Sequence, residues 1–239
     1  MTKIELVTRP SAVLAKPTTA NDDDVALAAW VSFAADEPER LEDRFGVERL
    51  IGFLMSNQHD SPFEHSHFTF KVDCPLFVAR EFHRHRTQSY NEVSGRYTEL
   101  QPRFYVPRKE RPMVQVGKPG AYHFVEDPNI QYYAERAIEK ASRQSWEAYQ
   151  DILMAGAAKE VARMVLPVNI MTQFYATVNA RNLMHFIGLR TSPHALDEIR
   201  TVAGDMEKIL AEHMPLTYKA WEAKNRLWAE FREWKKTNV

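Results

Sequence analysis

The seven residues HFTFKVD, His67 to Asp73, constrain the fold of this chain more than any other stretch. They alternate strictly. Phe68, Phe70 and Val72 take one face, and His67, Thr69, Lys71 and Asp73 take the other. Successive side chains of a strand point to opposite faces, so the pattern predicts a strand with one buried and one wet side. Strands of that kind belong to antiparallel sheets, whereas a doubly wound parallel sheet reads as continuous apolar runs.

The other segments surround that strand irregularly. KIELVTRPSAVLAKP reads as a strand and a turn, and Asp22 to Gln58 reads as helical with acidic residues at its start. Pro75 suits the first turn of a helix through LFVAREFHRHR. TQSYNEVSG has turn composition and no period, which predicts a loop, and RFYVPRKERP holds a short strand. Pro128 to Leu153 is helical, and AAKEVARMV is a shorter helix that stops before Pro167. VNIMTQFYATV is β-rich, and Asn179 caps a following helix, NARNLMHFIGLR. The chain from Ala195 is mostly helical; its Trp-rich end, WEAKNRLWAEFREWKK, reads as a helix packing on its own core or on a neighbouring subunit rather than as a binding arm. No repeat or linker interrupts this order. The expectation is one α+β domain over residues 1–239, a small antiparallel sheet flanked by helices.

Charge and composition exclude several functions. Lys+Arg at 31 against Asp+Glu at 32 leaves a net charge of -1, unlike a protein built to hold duplex nucleic acid. No apolar run approaches the roughly 20 residues needed to span a bilayer. A single cysteine, Cys74, permits no internal disulfide and, with no signal peptide, predicts a cytoplasmic protein. Only eight glycines are present and none form a G-x-G-x-x-G or Walker loop. Any nucleotide phosphate must therefore be held by side chains.

Against that neutral background, HRHRTQSYNEVSGRY, His83 to Tyr97, concentrates cationic donors. Arg84, Arg86 and Arg96 with Ser89, Ser94 and Gly95 suit a phosphate, because guanidinium forks match its oxygens and small polar residues add donors. Five of the nine histidines lie between His59 and His85, yet their i, i+2 spacing points them apart on a helix, so no metal is expected. In the helix after Asn179, Arg190 continues the apolar stripe of Leu183, Phe186 and Ile187. A partly buried Arg needs a partner, either an internal carboxylate or a ligand group. Cys74 reads as a small buried residue, and Ser94 lacks a nucleophile elbow.

These residues then become specific. Arg84-His85-Arg86, followed after seven residues by Ser94, resembles the signature of the flavin-dependent thymidylate synthases. SPFEHSHFTF, SYNEVSGRY, EVARMVLP, TVNARNLMHF and LRTSPHALDEI look like further blocks of that family, in its order, over roughly residues 20 to 215. The resemblance implies conversion of dUMP to dTMP without an enzyme cysteine nucleophile. Methylenetetrahydrofolate would give the carbon, and NADPH would reduce bound FAD. It also implies a homotetramer with shared active sites and no nucleic-acid or membrane partner.

By position, the resemblance places dUMP at Glu81, Arg84, Glu92, Val93, Ser94, Gly95, Arg96, Arg163 and Arg190. Arg163 would come from another part of the tetramer, and Arg190 would polarise the uracil as the catalytic residue. FAD would meet His59, Ser61, Arg84, His85, Arg86, Asn91, Glu92, Asn179, Arg181, His185 and His194. Glu81 and His185 depart from the Gln and Asn of some members. Two other readings are a nucleotide- or RNA-binding regulator on the same fold and a flavin enzyme with another substrate.

Overall fold

The structure, a computed structural model, describes residues 3–32, 38–118 and 121–225. Its centre is the predicted strand. β1 (Glu5–Val7) and β2 (Ser11–Leu14) open the chain, followed by α1 (Asp22–Trp30) and α2 (Arg44–Ser56). β3 (His67–Pro75) comes next, then α3 (Leu76–Phe82) and β4 (Ser89–Glu92). β5 (Arg103–Tyr105) and a hairpin of β6 (Val114–Lys118) and β7 (Ala121–Val125) lead to the long α4 (Pro128–Met154) and the short α5 (Lys159–Ala162). β8 (Met171–Asn179), α6 (Ala180–Arg190) and α7 (Asp197–His213) complete the named elements, and residues 215–225 are again helical.

The main sheet has the order β2-β3-β8-β4, antiparallel throughout, as the alternation requires. β3 and β8 pair along their whole length, from His67 opposite Asn179 to Pro75 opposite Met171. Phe68, Phe70 and Val72 lie buried beside Phe174, Ala176 and Val178, and this face packs into the core with α6 and α7. Thr69 and Thr177 share a 3.0 Å hydrogen bond across strands. The stripe of α6, Leu183, Phe186 and Ile187, is fully buried in the same core. Truncating a buried Phe costs about 3–5 kcal/mol, so Phe186 fixes the roll of α6 and hence where its polar face points. Asn179 caps α6, accepting from the Asn182 N–H at 2.9 Å.

Several elements differ from the sequence reading. The first helical stretch is two α-helices, α1 ending at Trp30, with residues 33–37 outside those described. The N-terminal segment holds two strands rather than one. α3 stops at Phe82, short of the His-Arg pairs, because the chain must turn back to lay β4 along β8. Tyr90 locks that turn by donating to the carbonyls of His85 at 2.7 Å and Phe82 at 3.2 Å. Residues 89–92, expected in a loop, are the edge strand β4; pairing with β8 overrides their polar composition. β1 and β5 form a separate parallel pair, and the β6–β7 hairpin was not foreseen.

Two polar junctions tie the outer segments down. Glu198, 2% exposed on α7, accepts from Tyr105 Oη at 2.7 Å and Arg111 Nε at 2.6 Å. Buried Asp22 accepts from the Leu216 and Thr217 N–H groups, each at 2.8 Å, and from Thr217 Oγ1 at 2.7 Å, which caps the final helix. That helix packs Trp221 against the core; the rest of the Trp-rich stretch, 226–239, lies outside the described residues. No described helix is long and apolar enough to cross a membrane.

Candidate active site

Burying one stripe of α6 turns Arg181, His185 and Leu189, spaced four apart, outward along another. They line a cleft of about 740 Å³ together with Arg84, His85, Arg86 and Arg190. The turn after α3 supplies one wall. The end of α2 supplies another through Met55 and Asp60. There Gln58 adopts a left-handed φ of 59° and His59 N–H closes on Leu54 O at 2.9 Å, which ends α2 and aims the chain at the cleft.

Arg190 is held but not neutralised. Its Nε donates to His85 Nε2 at 2.9 Å, its Nη2 to Glu81 O at 3.4 Å, and its Nη1 lies 3.5 Å from the Glu81 carboxylate. Of the two partners expected for it, an internal carboxylate or a ligand group, the carboxylate is present, as Glu81 at 3.5 Å. Burial, then the Arg190 cation, then His185 hold the His85 imidazole down to about 4. His85 is therefore neutral near pH 7, with Nε2 as acceptor and the proton on Nδ1. Arg181 is paired with Glu64 at 2.5 Å and Asp60 at 3.3 Å. Arg84 and Arg86 have no ion pair among the described residues.

A second polar cluster lies at the other end of β4. Glu92 accepts from Thr172 Oγ1, and the loop after it is strapped to α5 by Arg96–Glu160 at 2.9 Å and Lys159–Tyr97 O at 3.3 Å. Gly95 allows a close approach here: a Cβ would sit 3.2 Å from Arg163 Cδ. Val93 is exposed and Ser94 Oγ accepts from the Arg96 N–H at 3.3 Å. Arg163 meets Gly95 within one chain, because α5 is short and folds directly onto this loop. None of these residues lines the cleft.

A family model described as "Thymidylate synthase complementing protein" matches residues 13–216. A flavin-dependent thymidylate synthase of Streptomyces avermitilis is 48% identical over 221 residues, covering 87% of this chain and 89% of that protein. One of Streptomyces coelicolor is 47% identical over 237 residues, 94% and 96% of the two chains. The chain belongs to the flavin-dependent thymidylate synthase family. Among solved structures, a UMP/dUMP methylase from Streptomyces cacaoi bound with 5-bromo-dUMP superposes with a TM-score of 0.85 at 41% identity, covering 92% and 97% of the chains. The α+β fold with its small antiparallel sheet is therefore that of the family.

Of the positions the family resemblance singled out, six line the cleft: Arg84, His85, Arg86, Arg181, His185 and Arg190. Glu81 touches Arg190. His59 and Ser61 flank the lining residue Asp60 without lining the cleft themselves. Asn179 acts as a helix cap, Asn91 is exposed on β4 opposite Tyr175, and His194 is exposed beyond α6. Sequence reasoning missed Trp221, Lys224 and Asn225, which reach the cleft from the final helix. These three lie past residue 216, where the family match ends. Cys74 is fully buried and burial pushes its thiol up, so it is no nucleophile.

Proposed function

We propose that this chain methylates dUMP reductively to dTMP, with methylenetetrahydrofolate as carbon donor and NADPH as reductant. The observation that carries the reading is Arg190, anchored by neutral His85 beside two guanidiniums with no counter-ion among the described residues. The cleft suits FAD. Its volume lies in the range of small-molecule sites, and Arg84 and Arg86 offer bidentate donors to a pyrophosphate. Bound and reduced, FAD supplies the hydride that completes the methyl group.

The protein's own groups supply orientation and electrostatics. Arg190 stabilises negative charge developing on the N3–C2 edge of uracil, which raises electron density at C5 toward the one-carbon unit. The His85 acceptor fixes the guanidinium plane, so little reorganisation accompanies the reaction. Glu81 helps hold that guanidinium while leaving most of its charge for substrate. Ser94, Arg96 and Arg163 suit the dUMP phosphate, with the Val93–Gly95 backbone fixed against α5. Glu92, His59, Ser61, Asn91, Asn179, Arg181, His185 and His194 complete the proposed FAD surroundings.

Phosphate cluster and cleft sit at opposite ends of β4, so a second copy would bring one cluster to the other's cleft. Exposed Tyr97, Met164, Val168 and Tyr175 give an apolar surface for that contact, which supports a homotetramer with shared sites. Cytoplasmic placement suits a lone buried thiol.

The test is an absorbance titration. The protein with FAD should show a flavin spectrum that shifts on adding dUMP; a protein that takes up no FAD, or whose flavin ignores dUMP, would remove the reading. The name of the Streptomyces cacaoi neighbour raises UMP as a rival substrate, and product formation from each nucleotide separates the two.

A further inference from the structure

The cleft has a wall beyond the residues that the family model matches. The helical segment 215–225 delivers Trp221, Lys224 and Asn225 to it, all beyond residue 216. Its position is fixed at both ends. Asp22 caps its start through three hydrogen bonds. Near its end, Lys224 Nζ donates to Met55 O at 2.9 Å. Between them the Trp221 indole lies against Gly188 of α6, where a Cβ would stand 3.7 Å from the ring.

Packing alone accounts for Trp221. It does not account for Lys224. No carboxylate lies within ion-pair distance of its ammonium among the described residues, and it shares the cleft with Arg84 and Arg86, which also lack counter-ions. The one carboxylate among the described lining residues, Asp60, is paired with Arg181, and Glu81 lies nearest to Arg190. Three uncompensated cations around one cleft repel each other, and a bound anion relieves that repulsion. An ammonium carries three donors, so the bond to Met55 O positions it and leaves two for a ligand. An indole face beside a cation is a surface for a planar ring attached to an anion.

We infer that the final helix is a binding wall for the dinucleotide, with Lys224 contacting its pyrophosphate and Trp221 stacking on one of its rings. This rests on the proposal that FAD occupies the cleft. Lys224→Met keeps the alkyl stem and removes the charge. FAD affinity, read by quenching of flavin fluorescence, should fall about tenfold, with a shallower dependence on salt. Lys224→Arg should restore most of the affinity, and Trp221→Leu should weaken FAD binding several-fold. The dUMP affinity of the FAD-loaded protein should stay unchanged in each variant, and circular dichroism melting reports whether the fold is kept.

Wild-type protein that binds FAD, with Lys224→Met and Trp221→Leu binding it equally well, overturns this assignment and leaves the proposed function standing. Weakened affinity for methylenetetrahydrofolate alone also overturns it, since the anion would then belong to that ligand's carboxylates. Wild-type protein that takes up no FAD overturns the functional reading, and this inference with it.

Discussion

Arg111 and Arg190 each meet a glutamate, and they do so differently. At the junction of the 105–111 segment with α7, Arg111 places Nε at 2.6 Å and Nη2 at 3.3 Å on the two oxygens of Glu198, and Tyr105 adds a third donor. In the cleft, Arg190 keeps its nearest carboxylate at 3.5 Å and spends its best hydrogen bond on a neutral imidazole. Both arginines are mostly buried, 17% and 22% exposed. Each guanidinium makes three hydrogen bonds, so the difference lies in charge compensation. A buried charge closely paired with a carboxylate is architecture, whereas one held in place with its nearest carboxylate at 3.5 Å keeps charge for a ligand.

The largest effect should come from breaking the closely paired junction. Glu198→Ala strands the buried Arg111 charge and the Tyr105 hydroxyl, and should lower unfolding free energy by about 3–5 kcal/mol in a urea titration. A loss under about 1 kcal/mol would erase the contrast between the two regions. Next comes Arg190→Ala. It should cut dTMP formation by about 10²–10³-fold while stability stays within roughly 1 kcal/mol and FAD still binds. Full activity in that variant would sink the role given to Arg190.

Cys74→Ala sharpens the point from the other side, since the thiol is buried and used only for packing. It should cost on the order of 1 kcal/mol and leave turnover intact; a loss of turnover with the fold preserved would reinstate a thiol nucleophile. The smallest effect concerns pH. His85 titrates near 4 in the folded chain against 6.5 when free. Between those values the unfolded chain binds the extra proton, so stability falls as pH drops through that window. His85→Gln should lose less stability from pH 7 to 4 than the wild type does; equal losses would show that the imidazole is not held neutral.

Much of this was readable before any coordinates. The alternation at His67–Asp73, the β-rich run before Asn179 and the cap at that residue each carry local signals, and each became the element expected. The Arg190 stripe was legible for the same reason, since helical period places seven-apart residues on one face. The edge strand β4 was not legible, because its polar residues become a strand only through pairing with β8. The end of α3 at Phe82 is set by Tyr90, eight residues later. Trp221 and Lys224 escaped because they reach the cleft through contacts with Gly188 and Met55, which no local pattern encodes. The resemblance supplied site residues in sequence order, but only the fold separated them into a cleft and a loop cluster.

The most direct measurement is dTMP formation from dUMP by purified protein given FAD, methylenetetrahydrofolate and NADPH, with Arg190→Ala and Cys74→Ala beside the wild type. We expect dTMP from the wild type and from Cys74→Ala, dependent on every one of those additions, and nearly none from Arg190→Ala. A flavin-loaded wild type that forms no dTMP, or an Arg190→Ala variant that forms it at the wild-type rate, would contradict the account.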